Sequence, residues 1–109
     1  MIVIDDNGNI ALTRGDSARL HLNVCDIDGK EYEIKESDTI FFTVKKSVKE
    51  HQPIIQKTAI AGVIELTPDD TAALEYGYYI YDVELRQADG FTQTVVPPSR
   101  FKLTEEVTT

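Results

Sequence analysis

A chain of 109 residues with a formal net charge of −8, one cysteine and no tryptophan has the size of one domain and can bury one core, so a single domain over residues 1–109 is expected. The acidic balance supplies no basic stripe for phosphate or an anionic membrane, so neither nucleic acid nor membrane is expected as a partner, and no apolar run approaches the roughly 18 residues of a spanning helix. The lone Cys25 excludes an internal disulfide framework and a multi-cysteine zinc site, and Met1-Ile2-Val3-Ile4, met at once by Asp5-Asp6, does not read as an export signal.

In chain order, the first signal is Asn7-Gly8, which predicts a type I′ hairpin joining Ile2–Ile4 to Ile10–Thr13. Arg14-Gly15-Asp16 then reads as a turn. Across residues 18–24, Ala18, Leu20, Leu22 and Val24 alternate with Arg19, His21 and Asn23, the period of a strand with one wet face. Cys25 at the end of this run reads as a small buried hydrophobe. Asp28-Gly29 marks another hairpin. Ile40, Phe42 and Val44 alternate with Phe41 and Thr43, and the polar stretch 45–53 is expected to cross between sheets. Ala61-Gly62 links residues 55–60 to 63–66. One short helix is specified at residues 67–74: Thr67 as cap, Pro68 in first position, Asp69 and Asp70 at the positive end of the dipole, Leu74 pinned to the core. Tyr79, Tyr81, Val83 and Leu85 then alternate with Ile80, Asp82 and Glu84. After Asp89-Gly90, Phe101 and Leu103 close the pattern. About seven short strands with frequent turns predict an all-β fold, an immunoglobulin-like antiparallel sandwich with one connecting helix.

The most informative stretch is Leu74-Glu75-Tyr76-Gly77-Tyr78-Tyr79-Ile80-Tyr81. A leucine followed by Gly-x-Tyr, leading into an alternating strand, is how such a sandwich enters its sixth strand, where a tyrosine hydroxyl reaches back to the preceding connection. Tyr79 is the expected corner tyrosine, set by Gly77 and Leu74. Tyr81 holds the place where antibody-like domains carry their second cysteine.

Several segments occur in a telling order: Thr13-Arg14-Gly15-Asp16-Ser17, Asp38-Thr39-Ile40-Phe41-Phe42-Thr43-Val44-Lys45-Lys46, Ile55-Gln56-Lys57, and Leu66-Thr67-Pro68-Asp69-Asp70-Thr71-Ala72-Ala73-Leu74. Gly77-Tyr78-Tyr79-Ile80-Tyr81-Asp82-Val83, Asp89-Gly90 and Phe101-Lys102-Leu103 follow. The series resembles the Ig-like N-terminal domain of the upper baseplate proteins of phages that infect Gram-positive bacteria, and similar small prophage tail proteins. The resemblance implies a structural module that contacts other tail or baseplate proteins, forms a homo-oligomer in the assembly, and resides in the virion after assembly in the bacterial cytoplasm.

Other constellations are weaker. Arg14-Gly15-Asp16 is better explained as a turn than as an integrin ligand. The loop starting at Asp26 holds Lys30 where a calcium loop needs an oxygen ligand and Ser37 where it needs a bidentate Glu, and Asp5-Asp6-Asn7-Gly8-Asn9 reads as a hairpin. His21 and His51 stand in no metal spacing, nothing selects a catalytic carboxylate pair, and no phosphate cradle is present. No enzymatic activity, cofactor or metal is expected. If residues 40–44 and 79–85 are neighbouring strands, Phe41, Tyr78 and Ile80 all point outward on one sheet, and a contiguous cluster there would be an interface. The expected function is non-catalytic assembly in a phage or prophage tail. The alternatives are a carbohydrate-binding or host-surface adhesion module and an accessory domain of a cytoplasmic enzyme.

Overall fold

The period-two pattern of the sequence becomes alternate burial along the strands, with Ile40, Phe42 and Val44 sealed and Phe41, Thr43 and Lys45 half-buried between them. The structure, a computed structural model, describes residues 2–25 and 28–105. Its strands are β1 (Ile2–Ile4), β2 (Ile10–Thr13), β3 (Ala18–His21), β4 (Val24–Cys25), β5 (Glu31–Tyr32), β6 (Thr39–Lys45), β7 (Ile55–Thr58), β8 (Val63–Leu66), β9 (Gly77–Arg86) and β10 (Thr92–Thr104), with helix α1 (Pro68–Ala72) between β8 and β9.

One six-stranded sheet runs β1-β2-β10-β9-β6-β7, and β3 pairs β8 while β4 pairs β5. The inner face of the large sheet packs against β3 and β8 in one core, so the architecture is an all-β sandwich with an Ig-like strand order. At its centre Phe42, Tyr81 and Phe101 meet with ring centroids 5.3–6.3 Å apart, a spacing at which aromatic pairs attract.

Four expectations are corrected. The described strands number ten, not about seven, because short pairs such as β4–β5 add to the main set. The sandwich is not wholly antiparallel, since β2 lies parallel to β10, with Phe101 opposite Ile10 and Leu103 opposite Leu12. Stretch 45–53 stays within one sheet and closes the β6–β7 hairpin, where the Ile54 N–H donates to the Val44 carbonyl at 2.7 Å. The crossing between sheets occurs instead at Ala61-Gly62. These residues have φ of 52° and 77°, and Ile60 and Val63 exchange backbone hydrogen bonds of 2.9 and 3.0 Å, the geometry of a type I′ turn. Finally, Cys25 is exposed rather than buried, because Val24 takes the inward position of β4 and alternation turns Cys25 outward.

Aspartates redirect the other hairpins. Of Asn7-Gly8, only Gly8 has positive φ, and the connection spans residues 5–9. The Asp5 carboxylate accepts the N–H groups of Asn7 and Asn9, both at 2.9 Å, a local alternative to the two-residue turn. Asp89 does the same for the Phe91 N–H at 2.9 Å. Of Asp26-Ile27-Asp28-Gly29, the first two residues lie outside the described ones.

Helix α1 is shorter than the expected span but organised as its sequence suggests. The Asp70 carboxylate takes the Thr67 N–H at 2.7 Å and the Lys57 ammonium at 2.9 Å, tying the helix start to β7. Burial pushes the Asp70 carboxyl up, but the Thr67 N–H and Lys57 outweigh it and hold the group below its ordinary value. Thr71 is fully buried, and its hydroxyl oxygen accepts the Gly15 N–H at 2.8 Å.

Candidate interface on the outer sheet face

Two tyrosines on the inner side of β9 anchor it. The Tyr79 hydroxyl donates to the Glu75 carbonyl at 2.8 Å. Gly77, at φ 136°, sets the chain's entry into the strand, and Leu74 packs against the core. The Tyr81 hydroxyl crosses to the Gly8 carbonyl in the β1–β2 loop. Burial, with the charge of Asp5, pushes the Tyr81 phenol up. The same loop is held to β10 by the Arg100 N–H, which donates to the Asn9 side-chain oxygen at 3.0 Å. Tyr81 therefore does by hydrogen bonding what a long-range crosslink would do, joining β9 to the edge hairpin. No local signal in the sequence announces that pairing.

The Arg14-Gly15-Asp16 turn is tied to the body. The Arg14 guanidinium lies 4.4 Å from the Tyr76 ring centroid and donates to the Leu74 carbonyl at 3.2 Å. Gly15 takes φ 84°, where a side chain would be strained.

The opposite side of β9 forms the outer face of the large sheet. Register sets its side chains in rows across the strands: Lys102 beside Tyr78; Arg100, Ile80 and Lys45; Asp82 and Thr43; Glu84 and Phe41; Arg86 and Thr39. Phe41, Tyr78 and Ile80 do share this face, and Tyr78 is 59% exposed. They do not form the expected contiguous cluster. Phe41 lies two rows from Ile80, about 13 Å at strand rise, with Asp82 and Thr43 between them. Alternation assigns a residue to a face, whereas its row depends on register, which alternation leaves open.

Each exposed ring is flanked by cations. Arg100 lies 4.8 Å and Lys102 5.3 Å from the Tyr78 centroid, and Arg86 lies 4.9 Å from that of Phe41 while holding Glu84 at 2.8 Å. Between the β6–β7 loop and the β10 bulge, the face dips into an open trough of about 550 Å³ that reaches from Ile80 past Asp82 to Phe41, with His51 and Gln56 on its bank. The Asp82 side chain makes no hydrogen bond or ion pair among the described residues. Burial and then Glu84 push its carboxyl up, against the pull of Lys45.

His21 lies exposed on β3, in the other sheet. No group of three or more metal-ligating side chains comes together among the described residues, and Asp5, whose carboxylate the calcium reading would need, is occupied by Asn7 and Asn9. No described helix is long and apolar enough to cross a membrane. No protein-family model, curated protein or solved structure matches the chain.

Proposed function

We propose that the chain is a non-catalytic Ig-like module of a phage or prophage tail or baseplate, working through protein–protein contacts in a symmetric assembly. The observation that carries this reading is the outer face of the large sheet, where half-exposed Phe41, Tyr78 and Ile80 are interleaved with five cationic and acidic side chains of β9 and β10. Aromatic and arginine side chains are enriched at protein contact surfaces, whose rims are polar. The ordered segments that resemble baseplate domains support the tail context, and they fall on β6, α1, β9 and β10 of the sandwich. The test is mass spectrometry of tail particles purified after induction of the native host. The chain should appear at a fixed ratio to the other tail proteins. Its presence in the lysate but absence from purified tails would overturn the reading.

A carbohydrate-binding or adhesion module is the second reading, favoured by the trough, which combines an aromatic ring with carboxylates and an amide. Against it, Arg86 already covers Phe41, leaving less ring for a sugar to stack on. A glycan array separates the two readings: saturable binding that Phe41→Ala abolishes would favour the sugar.

A further inference from the structure

The outer face is divided along the strands. Its first two rows carry Lys102, Arg100 and Lys45 around Tyr78 and Ile80, and the next two carry Asp82 and Glu84 beside Thr43 and Phe41, with Arg86 of the last row bound to Glu84. Tyr78 projects at the basic end, while the trough starts at the Ile80 row and runs through the acidic rows to Phe41. The charges of one half thus complement those of the other.

We propose that this face pairs with the same face of a second copy of the chain, about a two-fold axis that crosses the strands between the Ile80 and Asp82 rows. The proposal deepens, and rests on, the reading of this face as an assembly surface. A two-fold interface requires one patch to complement itself, each contact occurring twice. The axis lays each strand over its own copy in the opposite direction. Asp82 of one protomer then drops onto the Ile80 row of its partner, between Arg100 and Lys45. Glu84 meets the Tyr78 row with Lys102, and Tyr78 enters the trough toward Phe41. The apolar side chains, two rows apart within a chain, become neighbours across the axis. The Asp82 carboxylate, which makes no hydrogen bond or ion pair among the described residues, gains cations on both sides. A neutral or uniformly charged face would offer no such register, and local complementarity offsets the repulsion between two copies that each carry a net charge of −8.

The test is a charge exchange. Arg100→Glu with Lys102→Glu makes both halves acidic, and Asp82→Lys with Glu84→Lys makes both basic. Sedimentation equilibrium from micromolar to millimolar protein at low salt should show wild-type dimers that weaken as salt is added. Each exchanged variant should dimerise about a hundredfold or more weakly, since like charges then face each other. An equimolar mixture of the two variants should recover a heterodimer. Arg19→Glu with Lys35→Glu, which changes net charge equally off this face, should leave dimerisation within a fewfold of wild type. If an exchanged variant does not fold, Tyr78→Ser at an exposed position provides the same reading, with an expected loss of about tenfold. A wild type monomeric throughout, exchanged variants that dimerise normally, or a mixture that stays monomeric would each overturn the proposal. A chain that remains monomeric yet is incorporated into tails would overturn this pairing and leave the tail reading standing.

Discussion

The two sides of β9 are governed by different physics. On the inner side Tyr79, Tyr81, Val83 and Leu85 are buried, and the hydroxyls of the two tyrosines are anchored, one to Glu75 four residues away and one to Gly8 across the fold. On the outer side Tyr78, Ile80, Asp82 and Glu84 remain partly wet, and their neighbours are mostly charges on adjoining strands. Burial makes the inner side intolerant of a lost polar partner, because water cannot replace it. The outer side has water at hand, so its substitutions should act on association more than on folding. One strand thus separates stability from recognition by side-chain parity alone.

The largest effect should come from the longest reach. Tyr81→Phe leaves the Gly8 carbonyl without its donor and should lower unfolding free energy by about 1–3 kcal/mol. Hydrogen exchange should also accelerate in the residue 5–9 loop, and a loop unchanged in exchange would show that Tyr81 is not its anchor. Gly8→Ala approaches the same contact from the other end. An added Cβ would stand 3.6 Å from the Tyr81 hydroxyl, an ordinary contact, so the expense lies in Gly8's φ of +82°. Denaturant melts should register a loss of about 1–2 kcal/mol.

Tyr79→Phe should cost less, about 0.5–1.5 kcal/mol, since the Glu75 carbonyl belongs to an exposed residue. Tyr78→Phe on the outer side should stay within about 0.5 kcal/mol of wild type. Equal losses for these neighbours would erase the distinction between the two sides. The smallest effect has the opposite sign. The folded-state value of Asp82 is raised, so its charge opposes folding at neutral pH and the penalty lifts as pH falls through that value. Asp82→Asn should therefore be slightly more stable than wild type at pH 7, with the two converging in acid. Asp70, whose folded value is lowered, should behave inversely. Asp70→Asn should be less stable at neutral pH, with the gap closing as pH falls below the ordinary carboxylate value of 3.8. Melting curves collected along a pH series would show both trends.

Face assignment along β6 and β9 was legible in the sequence, because a period of two needs no knowledge of partners. The corner at Tyr79 was legible for the same reason, as its acceptor lies four residues back. The Tyr81–Gly8 contact was not, since 73 residues separate its ends and nothing local marks either as the other's partner. The trough was hidden similarly: Asp82, Phe41 and His51 share it only once β6–β9 register and the path of the β6–β7 loop are known. Turn chemistry failed in an instructive way. Asp5 precedes the Asn-Gly signature and Asp89 belongs to the Asp-Gly one; the Asp5 carboxylate captures two backbone N–H groups and that of Asp89 captures one, in place of the tight two-residue turn. Ala61-Gly62 has no such carboxylate beside it and forms the tight turn.

The parallel pairing of β2 with β10 has a consequence for how the molecule comes into being. Ile10–Thr13 and the stretch they pair with, Phe101 to Thr104, stand 91 residues apart in the chain. Until the two meet, the β1–β2 hairpin has no neighbour in its sheet, and an isolated two-stranded hairpin is marginal in water. Ile10 and Leu12, sealed in the finished sandwich, lack their β10 neighbours until that stretch is in place. The domain therefore cannot close progressively from its first strand. Its large sheet is complete only when β10 lies between β2 and β9, joining stretches 91 residues apart in the chain.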